Sequence, residues 1–216
     1  MRKGILAVFV LLFVAAVAVA DDVPKVEVFG GYSMERLGYS DVSSADLASL
    51  FDSFGATGNF EMKKFLKKGF LGSVTFNVTD VFGIEADFRW NKDDILKGTI
   101  DVDNTTVSAK AKYSDFGFLV GPRFALRKSD KVTPFAHALI GIDRANVSVE
   151  ASAMGQSAST DVGSDTGFGL ALGGGLDVNV NKHFGIRLIQ ADYFFTKHSD
   201  ENFNNFALAF GAVFRF

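Results

Sequence analysis

Strict alternation of apolar and polar side chains, recurring in eight separate segments, is the feature that most limits what this chain can become. Successive side chains of an extended strand point to opposite faces, so period-two patterning reads as strand. Residues 203–216 carry it most plainly: Phe206, Leu208, Phe210, Ala212, Phe214 and Phe216 share one face, against Asn205, Ala207, Ala209, Gly211, Val213 and Arg215. In 69–79, Phe70, Gly72, Val74, Phe76 and Val78 alternate with Ser73, Thr75, Asn77 and Thr79. In 82–90, Phe82, Ile84, Ala86, Phe88 and Trp90 alternate with Gly83, Glu85, Asp87 and Arg89. Segment 115–126 sets Phe116, Phe118, Val120, Pro122 and Phe124 against Asp115, Gly117, Gly121 and Arg123. Segment 132–143 sets His137 and Asp143 against Ala136, Ala138, Ile140 and Ile142, and 25–34, 167–180 and 184–195 complete the eight.

The connections alternate in length. Short links fall near 79–82, 127–131 and 180–183, and long ones cover roughly 35–67, 91–110, 144–165 and 196–203. The long links carry polar and small residues, which places them in water. This arrangement predicts an all-β, antiparallel up-and-down meander. An internal echo supports it: Val78 to Ile84 and Val180 to Ile186 both read as a short turn feeding a strand. The second copy carries three extra residues, Leu188 to Gln190. An odd insertion flips the facing of everything after it, so a β-bulge near 188–190 is expected to keep Asp192 on the side of Arg187.

Alternation alone does not say which face is inside. A soluble, lipocalin-like cup and a membrane barrel share the pattern with opposite polarity. Bulk and charge decide between them. The sequence has 24 Phe and 22 Gly but only 3 Pro. The interior of an eight-stranded barrel is only just wide enough to be filled by side chains, so a dozen inward rings would overfill it. The opposite faces hold small residues and both signs of charge: Glu85, Asp87, Arg89, Arg123, His137, Asp143, Arg187 and Asp192. A basic side chain on the lipid face at mid-membrane costs roughly 2–4 kcal/mol, so these groups are expected inward, paired as a lumen network with a structural or gating role. The expected fold is an eight-stranded transmembrane β-barrel with short periplasmic turns and long extracellular loops.

The N-terminus agrees with export. Arg2 and Lys3 precede an unbroken apolar run, Ile5 to Ala20, that ends Ala18-Val19-Ala20 before Asp21-Asp22. A basic start, an apolar stretch and an A-x-A ending describe a secretory signal peptide cleaved between Ala20 and Asp21. Residues 1–20 are therefore set apart from the barrel domain, 21–216.

Taken together, these features resemble the small bacterial outer-membrane β-barrels of the OmpA-like transmembrane type. The carrying residues are the N-terminal signal, Val26-Glu27-Val28-Phe29-Gly30-Gly31-Tyr32-Ser33, Gly121-Pro122-Arg123-Phe124, Thr133-Pro134-Phe135-Ala136-His137-Ala138 and the ending Phe210-Gly211-Ala212-Val213-Phe214-Arg215-Phe216. The resemblance implies residence in the cell outer membrane of a Gram-negative envelope. It implies that Gly211, Phe214 and Phe216 act as the signal read by the outer-membrane assembly machinery. The peptidoglycan-binding domain of longer OmpA-like proteins has no counterpart in 21–216, so wall anchoring is not carried over.

Chemistry-bearing candidates are few. With no cysteine, disulfides, thiolate metal sites and cysteine nucleophiles drop out. His137 reads as a paired lumen residue before a proton-linked gate or a hydrolytic base. His198-Ser199-Asp200-Glu201 reads as a solvated loop, since adjacent side chains on an extended chain point apart. His183 lies in a short turn, and three scattered histidines make no transition-metal site. Gly173-Gly174-Gly175 and Gly167-x-Gly169 lack the following helix of a phosphate loop and read as strand glycines at close approaches. Asn77, Asn104 and Asn146 begin N-x-Ser/Thr sequences that are read as chance. Lys63-Lys64 and Lys67-Lys68 form the one basic cluster, facing anionic surface groups such as lipopolysaccharide phosphates or simply solvent.

The net charge of −3 offers no basic field for nucleic acid. The expected function is non-catalytic: a monomeric integral outer-membrane protein that contributes to envelope structure, contacts membrane lipids and lipopolysaccharide, and uses its long loops for surface interaction, with no cofactor. A narrow or gated porin-like channel is the alternative. A lipid A-modifying barrel enzyme comes third, and a soluble lipocalin-like binder fourth.

Overall fold

The computed structural model describes residues 23–38, 57–102, 105–154, 156–198 and 201–216. The signal segment, with Ala20 and Asp21, lies outside the described residues, as do Ser199 and Asp200. Nine strands follow in order: β1 (Val26–Arg36), β2 (Thr57–Met62), β3 (Phe65–Asn77), β4 (Phe82–Val102), β5 (Thr105–Ala125), β6 (Val132–Ala153), β7 (Gln156–Asn179), β8 (Phe184–His198) and β9 (Glu201–Arg215). Eight of them close a ring of antiparallel neighbours, β1-β3-β4-β5-β6-β7-β8-β9, sealed where Glu27 to Arg36 of β1 pair with Arg215 to Phe206 of β9. The ninth, β2, continues the line of β3 beyond a break at Lys63 and Lys64 and pairs with the outer part of β4. Among the described residues no helix is long and apolar enough to cross a membrane, which has no bearing on a barrel that crosses with strands.

The polarity of the wall is inside out relative to a soluble protein. Phe88, Phe118, Phe124 and Phe210 are 41–50% exposed on the outer surface, whereas Glu85, Arg123 and Arg187 are at most 1% exposed inside. A lipocalin-like cup would show the reverse. The inner wall is not wholly polar, however. Phe29, Phe135 and Phe194 point inward and are buried, alongside small apolar clusters such as Leu119, Leu139, Ala171 and Phe194. Their reason is given with the lumen below.

The two short turns that echo each other in sequence are alike in structure. Thr79 Oγ1 accepts the backbone N–H groups of Val81 and Phe82 at 3.3 and 2.9 Å; Asn181 Oδ1 accepts those of His183 and Phe184, both at 2.8 Å. Each uses a side-chain oxygen to hold a reversal that the backbone alone leaves loose. The bulge falls where the insertion demands it. Asp177 pairs with Arg187 and Leu176 with Ile189, which leaves Leu188 unmatched, and across β9 the register also shifts between Arg187 and Gln190. Leu188 and Ile189 consequently both face outward, while Arg187, Gln190 and Asp192 all face in.

Two of the long connections, 91–110 and 144–165, are mostly strand among the described residues. Residues 91–102 and 105–114 run on as a paired hairpin of β4 and β5, and 144–153 with 156–166 do the same for β6 and β7. At ~3.3 Å per residue, these strands rise well above the ends of β8, β9 and β1. Four hairpin strands and β2 form a raised half-wall over one side of the mouth.

Candidate functional site

The lumen is built in three tiers, each assembled from inward positions of several strands. Nearest the short turns, Arg123 on β5 gathers three carboxylates. Its guanidinium donates to Glu27 at 3.1 Å, to Asp177 at 3.1 Å and to Thr75 Oγ1 at 2.9 Å, and its Nε lies 3.3 Å from Glu85. Arg187 binds Asp177 at 2.8 Å through Nε and Gln190 at 2.6 Å through Nη1. Arg127, just beyond β5, closes the bottom by donating to Glu27 at 2.7 Å, to Asn77 at 2.9 Å and to the backbone oxygen of Asp80. Buried charge is tolerable only when partnered this fully.

In the middle tier, His137 has Glu85 Oε1 at 3.3 Å from Nδ1 and Asp192 Oδ1 at 2.9 Å from Nε2. Both ring nitrogens face acceptors, which a doubly protonated ring satisfies. Arg89 donates to Asp87 at 2.9 Å and to Asp192 at 3.2 Å, and Gln190 adds a bond to Asp192 at 2.9 Å. Gly173 is the residue that makes this tier possible. It stands in register between His137 on β6 and Asp192 on β8, and a Cβ there would lie 2.2 Å from Asp192 Oδ1. A Cβ on either neighbour, Gly174 or Gly175, would lie 2.3 Å from the backbone oxygen of Phe135 or Ile189 respectively. The glycine triplet is thus a packing device.

The upper tier is more acidic. Asn91 donates to both Glu35 at 2.9 Å and Asp115 at 3.1 Å, while accepting from Ser33 Oγ at 2.8 Å. Asp143 pairs with His198 Nε2 at 3.1 Å. His198, expected in a solvated loop, instead ends β8 as an inward, buried side chain. The loop reading fails because the hairpins extend the wall and carry the inward parity of β8 one step further.

The inward phenylalanines belong to the arginines. The Arg187 guanidinium lies 4.2 Å from the ring centre of Phe29 and 4.3 Å from that of Phe135; Arg123 lies 4.2 Å from Phe135 and Arg89 4.3 Å from Phe194. A ring face attracts a desolvated cation and supplies contact where no further acceptor fits.

All eight residues read from sequence as lumen groups, Glu85, Asp87, Arg89, Arg123, His137, Asp143, Arg187 and Asp192, are buried on the inner face. The structure brings seven of them into one connected lower and middle network and sets Asp143 apart with His198. The lumen set read from sequence leaves out Glu27, Glu35, Asn91, Asp177 and Gln190, and also Asp115 and Arg215, which alternation places on the polar face; all seven are buried inside. Their parity was readable, since Glu27 alternates with Val26 and Val28, and Asp115 with Phe116. Of the residues expected from the resemblance to form an assembly signal, Phe214 and Phe216 face outward, and Gly211 meets Gly31 across the β1–β9 seam. The partners of His137 are carboxylates, and no hydroxyl of a described residue is among them. No group of three or more His, Asp or Glu among the described residues is disposed to hold a metal.

The outer membrane protein beta-barrel domain family model matches residues 5–216 of the chain. Solved structures similar to it include Ail, the attachment invasion locus protein of Yersinia pestis, at 19% identity and TM-score 0.46 over 89% of this chain and 99% of that one. The outer membrane protein OprG from Pseudomonas aeruginosa matches at 9% identity and TM-score 0.46, covering 90% and 96%. Outer Membrane Protein W of E. coli matches at 14% identity and TM-score 0.43, covering 91% and 100%. No curated protein matches.

Proposed function

The chain belongs to the outer membrane protein beta-barrel domain family, and from that premise we propose that it is a non-catalytic structural protein of the cell envelope, presenting its raised hairpins to surface partners. The observation that carries this reading is the occlusion of the lower lumen. Arg123, Arg127 and Arg187 tie Glu27, Glu85 and Asp177 across the axis. A narrow eight-stranded barrel filled in this way has no free aqueous path. The His137 environment supports the absence of catalysis, because a base for acyl chemistry needs a nucleophile within hydrogen-bond reach. Phe214, Phe216 and Gly211 at the closing strand serve as the assembly signal, and the folded barrel acts as a monomer among lipid and lipopolysaccharide.

A gated channel is the second reading, favoured by the upper lumen. Asp115 Oδ1, Asp143 Oδ1 and Arg89 Nη1 are buried without a hydrogen-bond partner among the described residues, a setting suited to water. Reconstitution into planar bilayers separates the two. The structural reading expects a silent bilayer, and reproducible single-channel steps from the wild-type protein would replace it with the channel.

A further inference from the structure

Two lysines face each other directly across the barrel wall: Lys68 of β3 is the register partner of Lys92 of β4. Both are exposed, and both share the outward parity of the pair one step nearer the membrane centre, Phe70 and Trp90. A third lysine joins them through a bulge. Ser33 of β1 pairs with Gly69 and Glu35 with Leu66, so Met34 alone stands opposite both Lys67 and Lys68. Two consecutive residues are thereby turned to the same exposed side. Directly opposed like charges on antiparallel strands are unfavourable, and closing the barrel does not require them. The nearby carboxylate of Asp93 accepts the backbone N–H groups of Lys67 and Asp94, both at 2.9 Å, and also feels the charges of Lys68 and Lys63, one acid against a larger number of ammonium groups. Lys63 pairs with Glu61 at 3.6 Å and adds its charge near Asp93.

Height identifies the partner. Phe210, Tyr32, Phe70, Trp90 and Phe116 form one continuous register row across β9, β1, β3, β4 and β5. The row climbs with the tilt of the strands, so height is counted along each strand: Phe70 and Trp90 stand seven and eight positions beyond the turn ends Asn77 and Phe82, near the far side of a bilayer that a tilted strand crosses in about 9–11 residues, where aromatic residues collect. The lysines stand two residues above that row, about 7 Å along the strand, where lipid headgroups are. We infer that Lys67, Lys68 and Lys92 form a site for the phosphate of an outer-leaflet glycolipid of the lipid A type, whose acyl chains run down over Phe70 and Trp90. The inference rests on the outer-membrane barrel reading and adds to it a specific lipid contact.

Native mass spectrometry of the detergent-solubilised protein, titrated with bis-phosphorylated hexa-acyl lipid A, tests it. Parallel arms use dephosphorylated lipid A, phosphatidylglycerol and inorganic phosphate. The wild type is expected to retain lipid A over all three. The Lys68→Gln/Lys92→Gln protein is expected to lose roughly 20-fold in affinity, while Lys68→Arg/Lys92→Arg keeps it and Lys182→Gln, in a periplasmic turn, leaves it unchanged. Equal retention by the wild type and the double Gln variant would overturn the site, as would equal binding of phosphatidylglycerol or of inorganic phosphate alone. Heat-dependent gel migration of the same samples reports the barrel separately, so a folded protein indifferent to lipid A sinks this site and leaves the barrel standing.

Discussion

Arg123 ties four other strands of the lumen to β5, with Glu27, Glu85, Asp177 and Thr75 all within 3.3 Å of its guanidinium. Truncating it would leave three buried carboxylates each short of one cation in a low-dielectric interior, with Arg127, His137 and Arg187 still beside Glu27, Glu85 and Asp177. Removing one partner of a buried ion network typically costs about 3–5 kcal/mol. Arg123→Ala is therefore expected to lower the urea midpoint of the barrel refolded in lipid vesicles by a corresponding amount, and an unchanged midpoint would show that the network contributes little. At this scale the sequence was informative wherever a charge sat in an alternating segment, because only one face of the wall tolerates it. It was silent about Phe29, Phe135 and Phe194. Phe135 shares the parity of His137, yet a rule that sends aromatic rings to lipid overlooks the rings that lie beneath buried guanidinium groups. It was silent too about the pairing of Asp143 with His198, which depends on how far β8 extends.

The elements above the membrane obey different rules from those within it. Where the β4–β5 hairpin meets the β6–β7 hairpin, Lys112 of β5 and Glu150 of β6 form an ion pair and hydrogen bond on the outer surface, as diagonal neighbours two positions apart, since the register partner of Glu150 is Lys110. That bond raises the Lys112 ammonium above its ordinary pKa and lowers the Glu150 carboxyl below its own. A depressed carboxyl contributes stability above its unfolded pKa and loses it as pH falls through the folded value; a raised ammonium contributes below its unfolded pKa and loses it as pH rises. The pair is thus intact across the neutral range and weakens at both ends. Amide hydrogen exchange in 110–113 and 148–151, corrected for intrinsic rates, is expected to speed up below about pH 4 relative to neutrality, and a flat profile would contradict the pairing. These hairpins were read from sequence as loops for a physical reason. Bulges interrupt the period-two pattern, with Ile95 skipped between Asp94 and Leu96 on β4 and Val162 skipped between Asp161 and Gly163 on β7. Each extra residue swaps the faces and erases the alternation that marks a strand. The bulge at Leu188 was legible because it interrupts an otherwise regular membrane-spanning segment that repeats an earlier one.

For the whole molecule, one asymmetry governs everything: a ring of eight strands with charges along the axis and aromatic rings around the girth. The asymmetry explains why a chain that is 48% hydrophobic needs no helix to enter a bilayer, since closure satisfies every strand edge of the spanning ring. It also explains why interior charges cluster in both signs while outward positions of the spanning segments, such as Phe88, Phe118, Ile140, Leu172 and Phe210, are apolar. Trp90, the single tryptophan of the chain, is 43% exposed on that outer wall in register with Phe70 and Phe116. Its fluorescence reports the polarity of the wall without any substitution. In vesicles containing lipids brominated high on their acyl chains, Trp90 emission is expected to be blue-shifted, strongly quenched by bromine and shielded from aqueous iodide. Emission that ignores brominated lipid and yields to iodide would place the aromatic face in water and contradict the membrane barrel.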